Sequence, residues 1–322
     1  MAPAVLPAQN ENAAPISIFE YLTRREGDTL CLQLDLQALL AKRRTNEYGK
    51  AVLTDAGGRH FPVEVRCYGK FRRMKSEMPP VKLKFSKKKL LAAQLDTLNE
   101  VKLVLPFTND EKGVEALLGE YICYRMYERL TPLSYRARLV NLRLCDNHGN
   151  TERLTYALLL EHEEELLARL RAQTVDRWNI PAALLHQDQT ALMIRFQYLI
   201  GNTDWDISSQ RNVVLLQQDG TEGIVPAPYD FDFAGMVGAI YASPNSDTGL
   251  KSIQDRCLMS YGTGDEALRR AALTIKAAEQ DLYSLCKSKW LPRKASARMT
   301  AYLKSYFREG KPACSIDPIK GK

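Results

Sequence analysis

The chain has 322 residues, 45% of them hydrophobic and 26% charged, which is enough apolar matter for one large domain or two parts sharing a cleft and excludes a wholly disordered chain. No run of about 18 apolar residues occurs, so no membrane-spanning helix is expected and the chain reads as soluble. The formal net charge of +7 is uneven: Lys70, Arg72, Arg73, Lys75, Lys82, Lys84, Lys87, Lys88 and Lys89 crowd one segment relieved only by Glu77. Such a run suits an anionic partner, whether nucleotide phosphates, acidic lipid or, less favoured, nucleic acid; a solvated basic face fits it equally.

Residues 1–27 read as a polar leader. Its opening, MAPAVLPAQNENAAP, lacks the basic and apolar regions of a secretory signal, while its Ala/Pro/Gln character suits a spacer left after signal removal. Exported and cytoplasmic locations therefore both stay open. The seven cysteines are odd in number, widely spaced and without a CxxC pair, and read as mostly buried thiols.

After the leader, TLCLQLD alternates as a strand does and LQALLAKR carries leucines at helical spacing. KAVLTD and HFPVEVRCY flank Ala56, Gly57, Gly58 and Arg59, where glycines permit a tight hairpin turn. VKLKF (81–85) and EVKLVL (100–105) predict further strands, and residues 113–130 a helix with Leu117, Tyr121, Tyr124 and Met126 on its apolar stripe and Pro132 beyond its end. SYRARLVNLRLCD and ERLTYALLLE, joined by Asn147, His148, Gly149 and Asn150, form a second hairpin. Beyond Glu161, EEELLARLRA, QTALMIRFQYLI, EALRRAALTIKAAEQDLYSL and ARMTAYLKSYF all read as helices. The expectation is an α+β protein of two lobes: a β-rich first lobe (28–161) whose sheet carries one main helix, a helical second lobe (162–310), and a loosely attached tail (311–322).

The segment IGNTDWDISSQRNVVLLQQDGTEGIVPAPYDFDFAG (200–235) carries the chemistry. VVLL and GIVPAPY are strand-like around Asp219 and Gly220, so a hairpin brings Asn212, before its first strand, close to Asp230, after its second. One amide oxygen and one carboxylate, with substrate phosphates, suffice for magnesium, and Asn212 and Asp230 supply them, with Asp232 beside them. Asp204, on the loop leading in, suits the carboxylate that orients an acceptor hydroxyl and takes its proton. Singly, each residue is as well explained by turn capping or strand ends. Together, with DFDFAG resembling the kinase DFG element, they favour the chemical reading.

A kinase-like site also needs a strand lysine for the phosphates and a helix glutamate to hold it. Lys82 and Lys84 fall on one face of VKLKF, and Glu120 lies in the 113–130 helix, although an exposed lysine face and a surface glutamate fit the pattern as well. Should both lysines face solvent away from Glu120, the anchoring role passes to Lys70, Arg72 or Lys102. Gly69, before the basic KFRR run, permits close backbone approach to phosphates, without a GxGxxG pattern. Residues 159–162, between the lobes, are placed to hydrogen-bond adenine through backbone groups.

These segments resemble the CotH kinase-like family, and more remotely HipA-like kinases. The likeness rests on LDLQALLAKR, GKFRR, PPVKLKF, GEYICYRMYERLTPLSYRARLV, IGNTDW, RNVVLL and VPAPYDFDFAGMV, spread over residues 30–260. The resemblance implies a protein-kinase-like fold using ATP and Mg2+ or Mn2+, with Asp204 as catalytic base, Asn212 and Asp230 as metal ligands, and Lys82 with Glu120 as the phosphate-anchoring pair. Two features depart from the pattern: seven residues separate Asp204 from Asn212, more than in the usual kinase catalytic loop, and Arg211 stands where relatives often carry His. The leading expectation is phosphoryl transfer to hydroxyls of an unknown protein acceptor. AMP transfer by a reversed nucleotide, a pseudokinase, and a polyanion-binding module using residues 70–89 are the alternatives.

Overall fold

A computed structural model describes residues 14–149 and 152–319. The start of the leader, Asn150 of the second hairpin turn and the last three residues of the tail lie outside the described residues. From residue 14 onward the leader is docked: α1 (Ile18–Leu22), capped by the Ser17 hydroxyl, buries Ile18, Phe19 and Leu22 in the core of the β-rich half. Apolar side chains at helical spacing, hidden in a short polar-looking stretch, bind it there.

The first half runs β1 (Thr29–Leu34), α2 (Leu36–Ala41), β2 (Gly49–Thr54), β3 (His60–Cys67), α3 (Phe71–Lys75), β4 (Val81–Phe85), α4 (Lys87–Ala92), β5 (Glu100–Val104), α5 (Glu111–Leu130), β6 (Ala137–Asp146) and β7 (Glu152–Leu160). Both expected hairpins form, β2 with β3 and β6 with β7. The sheet does not stay open. Its order is β1-β2-β3-β4-β5-β7-β6, and a parallel pairing of β6 with β1 closes it into a barrel. Closure leaves no bare edge, and strict alternation sends Leu30, Leu32, Leu34, Val81, Leu83 and Phe85 inward.

The second half runs α6 (Glu163–Leu170), β8 (Ala172–Thr174), α7 (Gln187–Ile200), β9 (Val213–Gln218), β10 (Val225–Pro228), β11 (Leu258–Met259), α8 (Asp265–Ala277), α9 (Glu279–Cys286), α10 (Arg293–Arg308) and β12 (Ser315–Ile316). The helix expected across 266–285 breaks at Ala278 into α8 and α9. The fold is thus α+β, with a barrel and several helices. α5 belongs by sequence to the first half, yet its buried face lies in the larger core with α7, α9 and α10.

Two expectations are corrected at the far end. Cys257 and Cys314 form a disulfide, and β11 pairs in parallel with β12, so the tail is fastened rather than loose. Among the other cysteines, Cys67, Cys123 and Cys286 are buried thiols and Cys31 and Cys145 are half-buried. No helix among the described residues is long and apolar enough to cross a membrane.

Candidate active site

α7 ends at Gly201 in the left-handed region, with φ +67°, where a Cβ would meet the Tyr302 hydroxyl. The loop that follows is built on short-range hydrogen bonds. Asn202 Oδ1 accepts from the Asp204 N–H at 3.0 Å, and Asp206 Oδ1 accepts from the Ser208 N–H at 2.7 Å and the Tyr261 hydroxyl at 2.8 Å. Turn capping therefore falls to Asn202 and Asp206. The Asp204 carboxylate has other partners: Asn212 Nδ2 donates to its Oδ2 at 3.0 Å, and Arg211 Nε lies 3.4 Å from its Oδ1. Burial raises the Asp204 carboxyl above its usual range, Arg211 opposing.

The hairpin of β9 and β10 pairs Val213 with Pro228, and the Tyr229 N–H donates to the Asn212 carbonyl at 3.0 Å. Asn212 and Asp230 thus leave the same end of one hairpin, as their spacing anticipates. Both have positive φ, +54° and +63°, a conformation Asn and Asp tolerate better than other side chains and one that gathers at functional sites. The Asp230 N–H donates to the Tyr124 hydroxyl at 2.8 Å, fastening this corner to α5.

Three carboxyl groups, those of Glu120, Asp230 and Asp232, gather about one guanidinium here. Arg72, on α3, donates from Nη1 to Glu120 Oε2 at 2.8 Å and from Nη2 to the Leu105 carbonyl at 3.2 Å, and its Nε lies 3.9 Å from Asp232 Oδ2. Arg72, Glu120 and Asp232 are all buried. Burial, and then Asp232 and Glu120, push the Asp230 carboxyl well above its ordinary range. Burial and Asp232 also raise Glu120, against the pull of Arg72. Arg72 Nε and Glu120 Oε1 are buried without a hydrogen-bond partner.

The expected pairing of Lys82 with Glu120 is not formed. Lys82 Nζ lies 2.9 Å from Glu100 Oε2 and 3.0 Å from His162 Nε2, and Lys84 lies over the Tyr48 ring at 5.6 Å. The reason is topological. Val81, Leu83 and Phe85 fill the barrel, which turns both lysines outward on β4, whereas α5 packs against β6 and β7, with β5 intervening. The partner of Glu120 is Arg72, one of the three residues, with Lys70 and Lys102, to which the anchoring role passes. Gly69, just before α3, has φ +88° and open space around it, a position no other residue would take without strain.

Lys102 is the site residue that the sequence left in reserve. It pairs with Lys82 across β4 and β5, and its ammonium lies 5.7 Å from the Tyr135 ring and 5.9 Å from that of Tyr229, the neighbour of Asp230. Burial lowers its pKa. Alternation in EVKLVL predicts its face, but only the barrel shows which face looks toward Asp230.

The residues fit a divalent cation with a nucleotide. Asp204, Asp230, Asp232 and Glu120 are met by Arg72, by Arg211 at the rim and by Lys102, which leaves the site short of positive charge, and Arg72 Nε and Glu120 Oε1 are orphaned in it. No group of three or more His, Cys, Asp or Glu side chains among the described residues is gathered as a preformed metal cage. Magnesium does not require one, since an amide oxygen, one or two carboxylates, phosphates and water complete its shell.

No family model matches the chain, and no curated protein matches it. Among solved structures it is similar to the crystal structure of a Helicobacter pylori proinflammatory kinase, CtkA, over 76% of this chain and 90% of that one, at 11% identity and a TM-score of 0.40. A likeness of that degree fixes neither fold nor chemistry, which rest on the residues above.

Proposed function

We propose that the chain is an ATP-dependent, divalent-cation-dependent phosphotransferase of the atypical kinase type, with the barrel and the helical half as two lobes about the cleft and a protein hydroxyl as acceptor. The observation that carries this reading is the setting of Asp230 close to Asp232, to the buried pair of Arg72 and Glu120 and to Asp204, which Asn212 holds by a hydrogen bond. Asn212 and Asp230, with Asp232, would hold Mg2+ or Mn2+; when bound, that ion and ATP supply charge neutralisation and the phosphoryl group.

The remaining chemistry belongs to this chain. Glu120 orients Arg72, whose fork suits phosphate oxygens better than an ammonium would. Lys102 adds a second cation beside Asp230, in the role first expected of Lys82 and Lys84, and Gly69 leaves room for phosphates near α3. Asp204 accepts the acceptor's proton, its raised pKa moving it toward the range useful for a base. Asn212 and Arg211 orient its two oxygens.

The polyanion-binding alternative fits the geometry less well, because the basic run is not one free surface. Arg72 is buried against Glu120, Arg73 donates to the carbonyls of Arg43 and Thr45, and Lys82 is engaged by Glu100. Incubation with ATP labelled at the α or the γ phosphate, with Mg2+ or Mn2+ and candidate protein acceptors, tests the proposal. Transfer of γ label supports it. Transfer of α label alone replaces it with AMP transfer, and no transfer with no divalent-dependent nucleotide binding rejects it.

A further inference from the structure

Asp232 is only 3% exposed, and its Oδ2 accepts a hydrogen bond from the Tyr241 hydroxyl at 2.9 Å. The same oxygen lies 3.9 Å from Arg72 Nε, so the hydroxyl and the guanidinium both meet the carboxylate at Oδ2. Tyr241 comes from the segment after the DFDFAG element, a stretch to which neither sequence pattern nor resemblance gave a role.

The Tyr241 ring cannot swing freely. It stacks on Phe107 with centroids 4.0 Å apart and meets Phe71 and Phe233 at 5.7 Å each. Phe71 also lies 6.0 Å from Phe107 and 5.7 Å from Phe233, which closes the four rings into one cluster. Phe71 precedes Arg72 in α3, and Phe233 follows Asp232, so the rings fasten together the two chain segments that bring Arg72 and Asp232 face to face.

We infer that Tyr241 is a positioning residue for the divalent-cation site: its hydroxyl engages Oδ2 of Asp232 and leaves Oδ1 as the oxygen offered to the ion beside Asp230. This rests on the phosphotransferase reading. A neutral donor suits the task, because it holds a buried carboxylate in one orientation without adding a positive charge that would repel the cation. Groups that orient a metal-binding carboxylate typically change metal affinity about 10–100-fold when removed.

The test is Mn2+ titration followed by calorimetry of Mn2+-ATP binding on wild type, Tyr241→Phe, Asp232→Asn and the double variant, with thermal unfolding alongside. Tyr241→Phe keeps the ring in its cluster and deletes only the hydroxyl. The expected result is Mn2+ affinity weakened about 10-fold or more at nearly unchanged Tm, with little further loss when the change is added to Asp232→Asn. A merely structural tyrosine would lower Tm and leave Mn2+ affinity alone. Equal affinity in wild type and Tyr241→Phe overturns the role of Tyr241 while the phosphotransferase reading stands. A wild type without divalent-dependent binding overturns both. If Tyr241→Phe loses stability, Tyr241→Trp and Phe107→Leu, which perturb the cluster by different routes, separate packing from positioning: a Mn2+ affinity that tracks Tm across the set rejects the inference.

Discussion

Two buried charge networks in this protein are built in opposite ways. Where α1, β6 and α6 meet, Arg136 lies 2.9 Å from Glu20, 2.9 Å from Glu161 and 2.8 Å from Glu165, and Arg169 lies 2.8 Å from Glu161. Guanidinium and carboxylate alternate there, and both oxygens of Glu161 accept hydrogen bonds from Arg136 and Arg169. At the candidate site, by contrast, Glu120, Asp230 and Asp232 gather about Arg72 with Asp204 beyond them, and burial first, then neighbouring carboxylates, hold the Glu120, Asp204 and Asp230 carboxyls above their normal range. In the first network every carboxylate is met at 2.9 Å or less by a guanidinium of the protein, although Glu165 keeps one buried oxygen without a partner, and the network joins the barrel to the helix after it. The second is left short of positive charge, the condition expected of a place that a cation completes.

The sharpest way to break this comparison is to remove one partner from each network. Arg136→Met leaves Glu165 without its guanidinium and Glu161 with Arg169 alone, and is expected to cost about 3 kcal/mol of stability, measured by urea unfolding. A loss below about 1 kcal/mol would mean that this network does not hold the two halves together. Asp204→Ala at the candidate site should behave differently, with unfolding midpoint and Mg2+-ATP affinity nearly unchanged and transfer reduced about 100-fold. Unchanged transfer in a folded Asp204→Ala protein rejects its assignment as the base.

Asp230→Asn sharpens the contrast with a smaller effect of opposite sign. A carboxyl whose folded pKa is raised contributes most below its unfolded pKa and loses that contribution as pH rises through the folded value, so at neutral pH the Asp230 charge opposes folding. Removing it should stabilise the ion-free protein by about 1 kcal/mol, as is common where a site residue is kept against stability. The same change should abolish the rise in Tm that Mn2+ and ATP give the wild type. Destabilisation of the ion-free Asp230→Asn protein would show that the site is not short of positive charge.

What could be read from the chain divides along similar lines. The hairpin that joins Asn212 to Asp230 was legible, because short strand-like apolar runs about the turn at Asp219 and Gly220 are local signals, and so were the helices with a continuous apolar stripe. The partner of Glu120 was not. Arg72 sits on a five-residue helix too short to display a period, 48 residues away in sequence, and only the closed barrel decides that Lys82 looks elsewhere. Barrel closure itself depends on parallel pairing of β1 with β6, which no turn announces. The disulfide joins cysteines 57 residues apart, and spacing alone cannot pair them.

The smallest expected effect concerns the lysine that the barrel turned away. Lys82, Glu100 and His162 form a cluster in which His162 Nε2 lies 3.1 Å from Glu100, while Nδ1 accepts weakly from the Glu164 N–H at 3.4 Å at the start of α6. With Nδ1 bare for the Glu164 N–H, an Nε2–H donates to Glu100 but faces the Lys82 ammonium donor to donor, whereas in the other tautomer a bare Nε2 accepts from Lys82; either way the ring is neutral. Protonation would place a hydrogen on each nitrogen, remove that helix cap, and set a positive ring 3.0 Å from the Lys82 ammonium. Burial, then Lys82 and Lys102, accordingly lower His162 from 6.5 to about 4. A depressed histidine binds its proton more readily in the unfolded chain, so the stability it confers is present above pH 6.5 and is lost as pH falls toward 4. Between pH 7 and pH 6 the loss is roughly 0.7 kcal/mol. His162→Asn retains a capping oxygen and has no ring to titrate, so it should flatten that part of the stability profile. Glu165, whose carboxyl burial raises to about 7, imposes the opposite slope over the same range, so the test is the difference between wild-type and His162→Asn profiles in urea at each pH. Parallel profiles from pH 7 to pH 5 would mean that His162 takes up its proton equally in the folded and unfolded chain and that the cluster does not hold it neutral.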